Sequence, residues 1–505
     1  RSPGGSSRRN HCRTPFRSTT PARSPAPSAT AVETKWLARV IGIVILLGAS
    51  SAAVVLWLII ALQQPFDSSL PVEEEFAGFT FTVARVRPPD WALWASISIA
   101  VLAVALVAAV ERFTTKRTVA KLDPLTAPLA PRLIMEQTRG HFDGPVTVTV
   151  LIPAFNEEDA LRTTLPSLLH QTRPPERIIV VADNCTDGTR AVAERFGVEA
   201  FETVDNRLKK AGALNQVLDV VLPGQGNNDL VMVMDADTAL DAGFIEAAVE
   251  HFVSDRALMA VGGLFSGEEG HGMLGQFQRN EYTRYSRVIR RRKGRVFVLT
   301  GTSSMFRPTA LRAVAANRGV TIPGVPGDVY DTIALTEDNE LTIALKSLGA
   351  VMVSPSRCTV TTELMPTWRY LWRQRMRWQR GAVENIGAYG LTPATFRYWG
   401  QQMGIGYGVL AYYSFLLLML VTVLAVNDWW WFPFWLGVGL LFIVEQVITV
   451  WRGGWRARLL AALLFPELGY AMFIQAVYVV GLVEITVKRR ARWGGVNRTT
   501  ATVNA

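Results

Sequence analysis

Two aspartates one residue apart, Asp235 and Asp237, close an apolar run over residues 230–234. Carboxylates at i and i+2 can face a common point across the tight turn that ends a strand, and carboxylate oxygens are preferred ligands of hard divalent cations. The chemistry this suggests is a metal holding a pyrophosphate, although an isolated Asp-x-Asp is more often a solvated turn. Other stretches carry groups of related kind. PAFNE at 153–157 and ADNCTDGT at 182–189 each follow an apolar run, so Asp183 stands at a strand's carboxyl edge, able to accept hydrogen bonds from a base or ribose. An Asx-turn with helix capping through Thr186 and Asp187 is the alternative. KKAGALN at 209–215 offers a lysine for phosphate and small residues for close approach; a solvated surface lysine is the bland reading. TED at 336–338 opens a helical pattern, where Glu337 and Asp338 could merely complement the helix dipole. QRMRW at 374–378 lies among arginines and tryptophans and reads equally as an amphipathic helix on a membrane face.

These groups need a scaffold that gathers strand ends. Residues 146–152, 177–182 and 230–234 read as buried strands, and residues 157–170, 186–196 and 209–221 as helices between them. Such alternation means βαβ units and a mostly parallel sheet, whose ligands bind outside the carboxyl ends of its strands. No GxxxxGK[ST] loop and no GxGxxG after a strand occurs, which excludes P-loop chemistry and argues against a dinucleotide site.

The rest of the chain reads as membrane. Of 505 residues 49% are hydrophobic, and the mean hydropathy is positive. The formal net charge is +10, but the cations cluster beside apolar runs, which fits membrane orientation better than nucleic acid. Cys12, Cys185 and Cys358 match no zinc or redox spacing, and the five histidines form no HExxH pair, so a metal must be held by carboxylates. Residues 1–35 have the composition of a disordered basic tail. Residues 36–117 are expected to form a transmembrane hairpin, with spans at 40–62 and 91–110 joined by a linker containing Glu73, Glu74 and Glu75. Basic residues on the outer sides of this hairpin put residues 145–365, the soluble domain, in the cytosol. Residues 366–403 are read as interfacial amphipathic helices, residues 404–487 as spans at 404–426, 429–450 and 466–487, and residues 488–505 as a basic tail. The piece at 459–487, interrupted by Pro466 and Glu467, is long for one crossing and short for two. Glu445, Gln446, Gln475 and Glu484 are polar groups near or within these spans and are expected to face a bundle interior, a hydrated path or the interface.

PAFNE, ADNCTDGT, KKAGALN, DAD, TED and QRMRW, in this order and between transmembrane segments, resemble the processive family 2 glycosyltransferases, which include synthases of cellulose, chitin, hyaluronan and poly-N-acetylglucosamine. The resemblance implies a GT-A fold, an α/β Rossmann-like domain flanked by transmembrane helices, that uses a nucleotide-sugar, most often a UDP-sugar. It implies that Asp183 contacts the uridine, that Asp235 and Asp237 hold the diphosphate through Mg²⁺ or Mn²⁺, and that Lys210 meets a phosphate. Pro153, Asn156 and Glu157 of the first motif join the donor side. Asp338 becomes the general base, Gln374, Arg377 and Trp378 lie over the diphosphate and the acceptor sugar, and Gly301, Thr302 and Glu337 belong to the acceptor side.

The function this implies is an inverting glycosyltransferase in the plasma (inner) membrane, catalytic domain in the cytosol, extending and exporting a β-linked polysaccharide. Poly-N-acetylglucosamine or a hyaluronan-like polymer stands ahead of cellulose, because little chain follows the last apolar segment. Its expected partners are a nucleotide-sugar, a polysaccharide or lipid acceptor, membrane lipids and accessory export subunits, with no nucleic acid. The alternatives are a non-processive transferase acting on a lipid or lipid carrier, and an inactive export or scaffold subunit.

Overall fold

A computed structural model describes residues 72–76, 79–83, 125–131, 145–425, 430–431, 433–487 and 489. The expected N-terminal tail, both spans of the first hairpin, the turn at Asn427 and Asp428 and most of the C-terminal tail lie outside these residues. Two short strands come first, β1 (Val72–Phe76) and β2 (Phe79–Val83). The α/β domain follows with β3 (Thr147–Ala154), α1 (Glu158–Leu169), β4 (Arg177–Ala182), α2 (Thr189–Arg195), β5 (Glu199–Glu202), α3 (Lys209–Val221), β6 (Asp229–Met234) and β7 (Thr238–Leu240). It continues through α4 (Phe244–Ser254), β8 (Leu258–Gly262), β9 (Leu264–Gly267), α5 (Gly272–Arg291), β10 (Ser303–Phe306), α6 (Pro308–Asn317), α7 (Glu337–Ser347), β11 (Val351–Val353) and β12 (Thr359–Thr362).

Seven strands form one sheet in the order β11-β8-β10-β6-β3-β4-β5. The four from β6 to β5 run parallel, and β10 lies antiparallel to both its neighbours. Alternation within each central strand explains why both faces are buried. Val148, Val150 and Ile152 of β3 and Leu230, Met232 and Met234 of β6 pack with α1, α2 and α4. Leu151 of β3 and Val231 and Val233 of β6 face the other way, onto α3, α6 and α7. A strand apolar at every position suits a sheet covered on both sides. The run that ends at Asp235 therefore has its place fixed by two cores at once. The mostly parallel α/β domain expected from the sequence is what is found.

Antiparallel β10 has a specific consequence. Its first residue, Ser303, pairs with Met234, the last of β6. The start of β10 and the end of β6 thus share one edge of the sheet, which places Gly301 and Thr302 beside Asp235.

Beyond the sheet, α8 (Trp368–Tyr389) leads to α9 (Phe396–Ala425), β13 (Trp430–Trp431), α10 (Pro433–Thr449), α11 (Gly454–Ala462) and α12 (Phe465–Thr486). Two helices are long and apolar enough to cross a membrane, over Phe396–Val421 and Phe465–Thr486; a third crossing is possible if the segments on either side of a 60° bend, Leu436–Thr449 and Trp451–Ala462, act as one. Residues 396–403, read from the sequence as a separate interfacial stretch, are the first turns of continuous α9. Trp430 and Trp431 are not the start of a helix. They pair in parallel with Thr82 and Val83 of β2, itself antiparallel to β1, so residues 72–83 and the loop between α9 and α10 meet in one three-stranded sheet. The polar residues of the spans are answered largely by the α/β domain and α8. Gln446 accepts from Arg284 of α5 at 2.8 Å, and Glu484 pairs with Arg380 of α8 at 3.5 Å. Glu445 accepts from Gln446, while Gln475 has an enclosed amide oxygen with no hydrogen bond among the described residues.

One buried ion pair fixes α7 and the loop before it. Arg318, fully buried, donates both guanidinium nitrogens to Glu340 of α7 and also bonds the carbonyls of Pro323 and Val329. Tyr389, the last residue of α8, donates to the same carboxylate. Removing one partner of such a pair leaves an uncompensated buried charge. Glu340→Gln should therefore lower unfolding stability by about 3 kcal/mol, read as a fall in the denaturation midpoint of the purified protein; an unchanged midpoint would contradict this role.

Candidate active site

The carboxyl edge of the sheet opens into a cavity of about 1030 Å³. Pro153, Glu157, Asp183, Lys210, Asp235, Asp237, Gly301, Thr302, Glu337, Asp338, Gln374, Arg377 and Trp378 all line it. Asn156 is not among the lining residues. It sits at a positive φ of 56°, and its side-chain oxygen accepts from the Thr186 amide at 2.8 Å, tying the turn after β3 to the loop after β4.

Asp183, only 7% exposed, is held by three donors to one oxygen: Asn184 Nδ2 at 3.0 Å, Thr203 Oγ1 at 2.8 Å and Asn206 Nδ2 at 2.8 Å. Its other oxygen has no hydrogen bond among the described residues. The Asx-type turn weighed for this loop is formed instead by Asp187, which accepts from the amide and hydroxyl of Thr189. Asn206, which no motif marked, joins the loop after β4 to the start of α3. Besides holding Asp183 it donates to the Lys209 carbonyl and accepts from the Leu208 amide, shaping the entry to α3. Gly212 is small for this reason, since a Cβ there would collide with the Asn206 side chain.

Lys210, on the first turn of α3, reaches Asp235 Oδ1 at 2.6 Å and Glu337 Oε1 at 2.9 Å. Burial opposes its charge, but Asp235 and Glu337 outweigh it and hold the ammonium well above the ordinary lysine range. Gly301 lies where the charges converge. Its amide donates to Asp338 Oδ2 at 3.0 Å, and a Cβ there would stand 3.0 Å from Lys210 Nζ, 3.3 Å from Asp235 Oδ2 and 3.6 Å from Asp338 Oδ2. Burial, and then the charge of Glu337, push the Asp338 carboxyl up to about 6. Glu337 itself is held below the usual range: burial opposes this, and Lys210 and Arg377 outweigh it.

Burial and then the nearby charges of Asp235 and Glu363 push Asp237 up to about 7. Among the described residues no three carboxylates, histidines or cysteines gather to make a metal cage. A hard cation such as Mg²⁺ is commonly held by one or two carboxylates plus substrate phosphates. Asp235 and Asp237, crowded together at the cavity wall, fit that donor set.

Gln374, Arg377 and Trp378 fall on one face of α8 through i, i+3 and i+4 spacing. Two sets of contacts place that face. Gly381 lets α8 close on Thr336, since a Cβ would come within 2.6 Å of its hydroxyl, and Asn385 donates to the Thr336 carbonyl at 3.2 Å. With Tyr389 on Glu340, residues 381, 385 and 389 lock α8 to the helix that carries Asp338. Arg375, 1% exposed, donates to Glu281 of α5 at 2.9 Å and lies 4.2 Å from the centre of the Trp378 ring. Glu281 also accepts from Tyr470 of α12 at 2.7 Å. A helix long enough to span a membrane thereby fixes the aromatic wall of the cavity. The far end of the cavity is lined by Tyr398, Gln401, Gln402 and Ile405 of α9.

Sequence reasoning missed Asn206 and, on α5, Glu281, Tyr282 and Tyr285, which also line the cavity; Arg375 lies within QRMRW but was given no role. For the three residues of α5 the available signal was the polar and aromatic face of residues 272–291, between the recognised motifs.

Residues 149–314, most of the α/β domain, match the family model Glycosyl transferase family 2. The chain is 27% identical over 243 residues to a poly-beta-1,6-N-acetyl-D-glucosamine synthase of Staphylococcus epidermidis, covering 47% of this chain and 55% of that one. It is 28% identical over 244 residues to the synthase of the same name from Staphylococcus aureus (strain MSSA476), with the same coverage. The chain thus spans about half the length of the curated relatives it matches. Among solved structures, it is similar to a mannosyltransferase from Pyrobaculum calidifontis in complex with GDP-Man and Mn²⁺, at 17% identity and a TM-score of 0.46 over 77% of this chain and 99% of that one. It is also similar to glucosyl-3-phosphoglycerate synthase from Mycobacterium tuberculosis in complex with Mn²⁺, UDP and phosphoglyceric acid, at 17% identity and a TM-score of 0.34 over 52% and 83%. The matched segment ends before TED and QRMRW, which reach the cavity through α7 and α8.

Gly301→Ala puts a methyl group among Lys210, Asp235 and Asp338. A displacement of about 1 Å at a reacting site can cost about 100-fold in rate. Sugar transfer by this variant should fall by that order while its unfolding midpoint stays near that of the unsubstituted protein; full activity would contradict the placement.

Proposed function

We propose that this protein transfers a sugar from a nucleoside-diphosphate donor, most often a UDP-sugar, to the hydroxyl of a growing β-linked polysaccharide. The observation that carries this reading is the placement of Asp338 across Gly301 from the Lys210–Asp235 pair, in a cavity that continues to α9.

Asp183, oriented by Asn184, Thr203 and Asn206, presents its free oxygen to the nucleobase or ribose. The diphosphate lies between Lys210 and Arg377. Asp235 and Asp237 would hold Mg²⁺ or Mn²⁺, which when bound neutralises charge on the leaving diphosphate. As the acceptor oxygen bonds to the anomeric carbon, the bond from that carbon to the β-phosphate oxygen breaks, and the hydroxyl proton passes to the Asp338 carboxylate. Lys210 and Arg377 stabilise the charge that develops on the leaving oxygen. A single displacement from one face inverts the anomeric centre. The Trp378 face suits the apolar side of a pyranose, and Gln374 supplies orienting hydrogen bonds. Tyr398, Gln401 and Gln402 continue the polar and aromatic lining toward α9, a path by which a chain made at the cytosolic face could leave through the membrane. The staphylococcal relatives, named as poly-N-acetylglucosamine synthases, support a polymeric product and favour N-acetylglucosamine as the sugar.

Inverted membrane vesicles supplied with single labelled UDP-sugars and Mg²⁺ or Mn²⁺ test this directly. High-molecular-weight product is expected, abolished by EDTA; a lipid bearing one sugar would replace the polymerase reading with transfer to a lipid. Asp338→Asn should still bind UDP but lose transfer by about 10²- to 10⁴-fold. With the Asp338 carboxyl pushed up to about 6, the base must be ionised to act, so the rate should fall as pH drops through that value. The same raised value means that the folded state takes up this proton more readily than the unfolded chain, so the group adds stability on the acid side and removes it as pH rises. An active Asp338→Asn variant, or a rate flat through pH 6, would remove Asp338 from the base role.

A further inference from the structure

Helix α5 joins the glycosyltransferase domain to the membrane helices along one face. Asn280 donates to Glu467 of α12 at 2.9 Å, and Arg284 reaches Glu467 at 3.1 Å as well as Gln446 and Thr449 of α10. One turn later Arg287 donates to the Ile448 carbonyl at the end of α10. Each of these groups has an acceptor. Arg290, the next residue of the seam, does not. It is half-buried, its Nε is enclosed without any hydrogen bond among the described residues, and the turn that carries another guanidinium, Arg452, packs against α5. Burial and that neighbour both lower its affinity for the proton. Two like charges brought together beside an enclosed donor are favourable only when an anion lies between or above them.

The surroundings indicate which anion. Arg452 and Arg456 are exposed, as are Arg291, Arg292 and Lys293 at the end of α5. The tryptophans of the same segment are exposed too, Trp451 by 55% and Trp455 by 67%. Arg458 stacks over the Trp451 ring at 4.1 Å, and Arg456 lies 5.7 Å from the Trp455 ring. Cations and amphipathic aromatics side by side, at the ends of apolar helices, are the composition that sits at the headgroup level of a bilayer. A free nucleotide or phosphate ion would use the cations and leave the tryptophans and the exposed Leu459, Leu463 and Phe465 in water.

We propose that the seam between the end of α5 and the turn leading into α11 binds the phosphate headgroup of an anionic phospholipid through Arg290 and Arg452. The acyl chains lie along the exposed apolar surface beside Trp451 and Trp455. The site stands on the domain's side of the membrane helices and away from the catalytic cavity, so it does not depend on which sugar is transferred.

The full-length protein, purified in mild detergent with equal amounts of phosphatidylglycerol and phosphatidylcholine, tests the site by native mass spectrometry. Phosphatidylglycerol should be retained in preference, and retention should weaken as salt rises. Arg290→Gln with Arg452→Gln should reduce phosphatidylglycerol retention by about tenfold and leave phosphatidylcholine unchanged, whereas Arg290→Lys with Arg452→Lys should keep most of it. Equal retention of the two lipids by the unsubstituted protein would overturn the proposal without recourse to any variant. Displacement of the phosphatidylglycerol by millimolar inorganic phosphate would overturn the lipid as occupant and leave a site for free anions. UDP binding by the double Gln variant, measured alongside, separates loss of this site from loss of the fold.

Discussion

Lys210 draws a carboxylate from the end of a strand and a carboxylate from the start of a helix onto one ammonium, at 2.6 Å and 2.9 Å. Asp235 leaves the sheet between two hydrophobic cores, while Glu337 opens α7 more than a hundred residues later. Without the cation between them, two half-buried carboxylates at the cavity wall would repel each other. With it, Asp338, the neighbour of Glu337, is brought to the far side of Gly301 from Asp235. The donor side and the proposed base are thus held by one charged contact, and a glycine leaves the space between them open. On the proposed reading, an entering diphosphate meets a lysine that is already charged and already in place.

That contact depends on features far from it. Antiparallel β10 brings its first residues to the edge at which β6 ends, so that the Gly301 amide can reach Asp338. Arg318 and Glu340 anchor α7 in the core, and Gly381, Asn385 and Tyr389 lock α8 onto it. From the other side, Tyr470 of α12 holds Glu281, Glu281 holds Arg375, and Arg375 lies against Trp378. The wall of the cavity is therefore positioned jointly by the sheet and by a helix built to cross a membrane. The same helix α5 that carries Glu281 continues to the cationic seam at Arg290, so the proposed lipid site and the cavity wall share one helix.

The parts legible in the sequence were those governed by local pattern. Apolar runs such as 230–234 mark strands because both faces are covered, and motif residues at their ends fall at the carboxyl edge as parallel sheets require. Less legible were groups whose role comes from packing across long separations. Asn206 carries no motif, yet it links Asp183 to α3; Glu281 and Arg375 lie 94 positions apart and meet only because α5 and α8 cross. Residues 396–403 read as interfacial because their polar and aromatic side chains face the cavity and the domain, while the backbone continues as one helix. Trp430 and Trp431 looked like part of an apolar span, but strand pairing with β2 satisfies their backbone instead. Asn156 was assigned to the donor through its motif, whereas its side chain closes a turn.

The central claim is that one carboxylate, Asp338, takes the acceptor proton in a single displacement at this edge. The anomeric configuration of the first product, read by proton NMR from an α-linked donor, tests it most directly. A β-linked product is predicted, whereas retention of the α configuration would contradict a single in-line displacement.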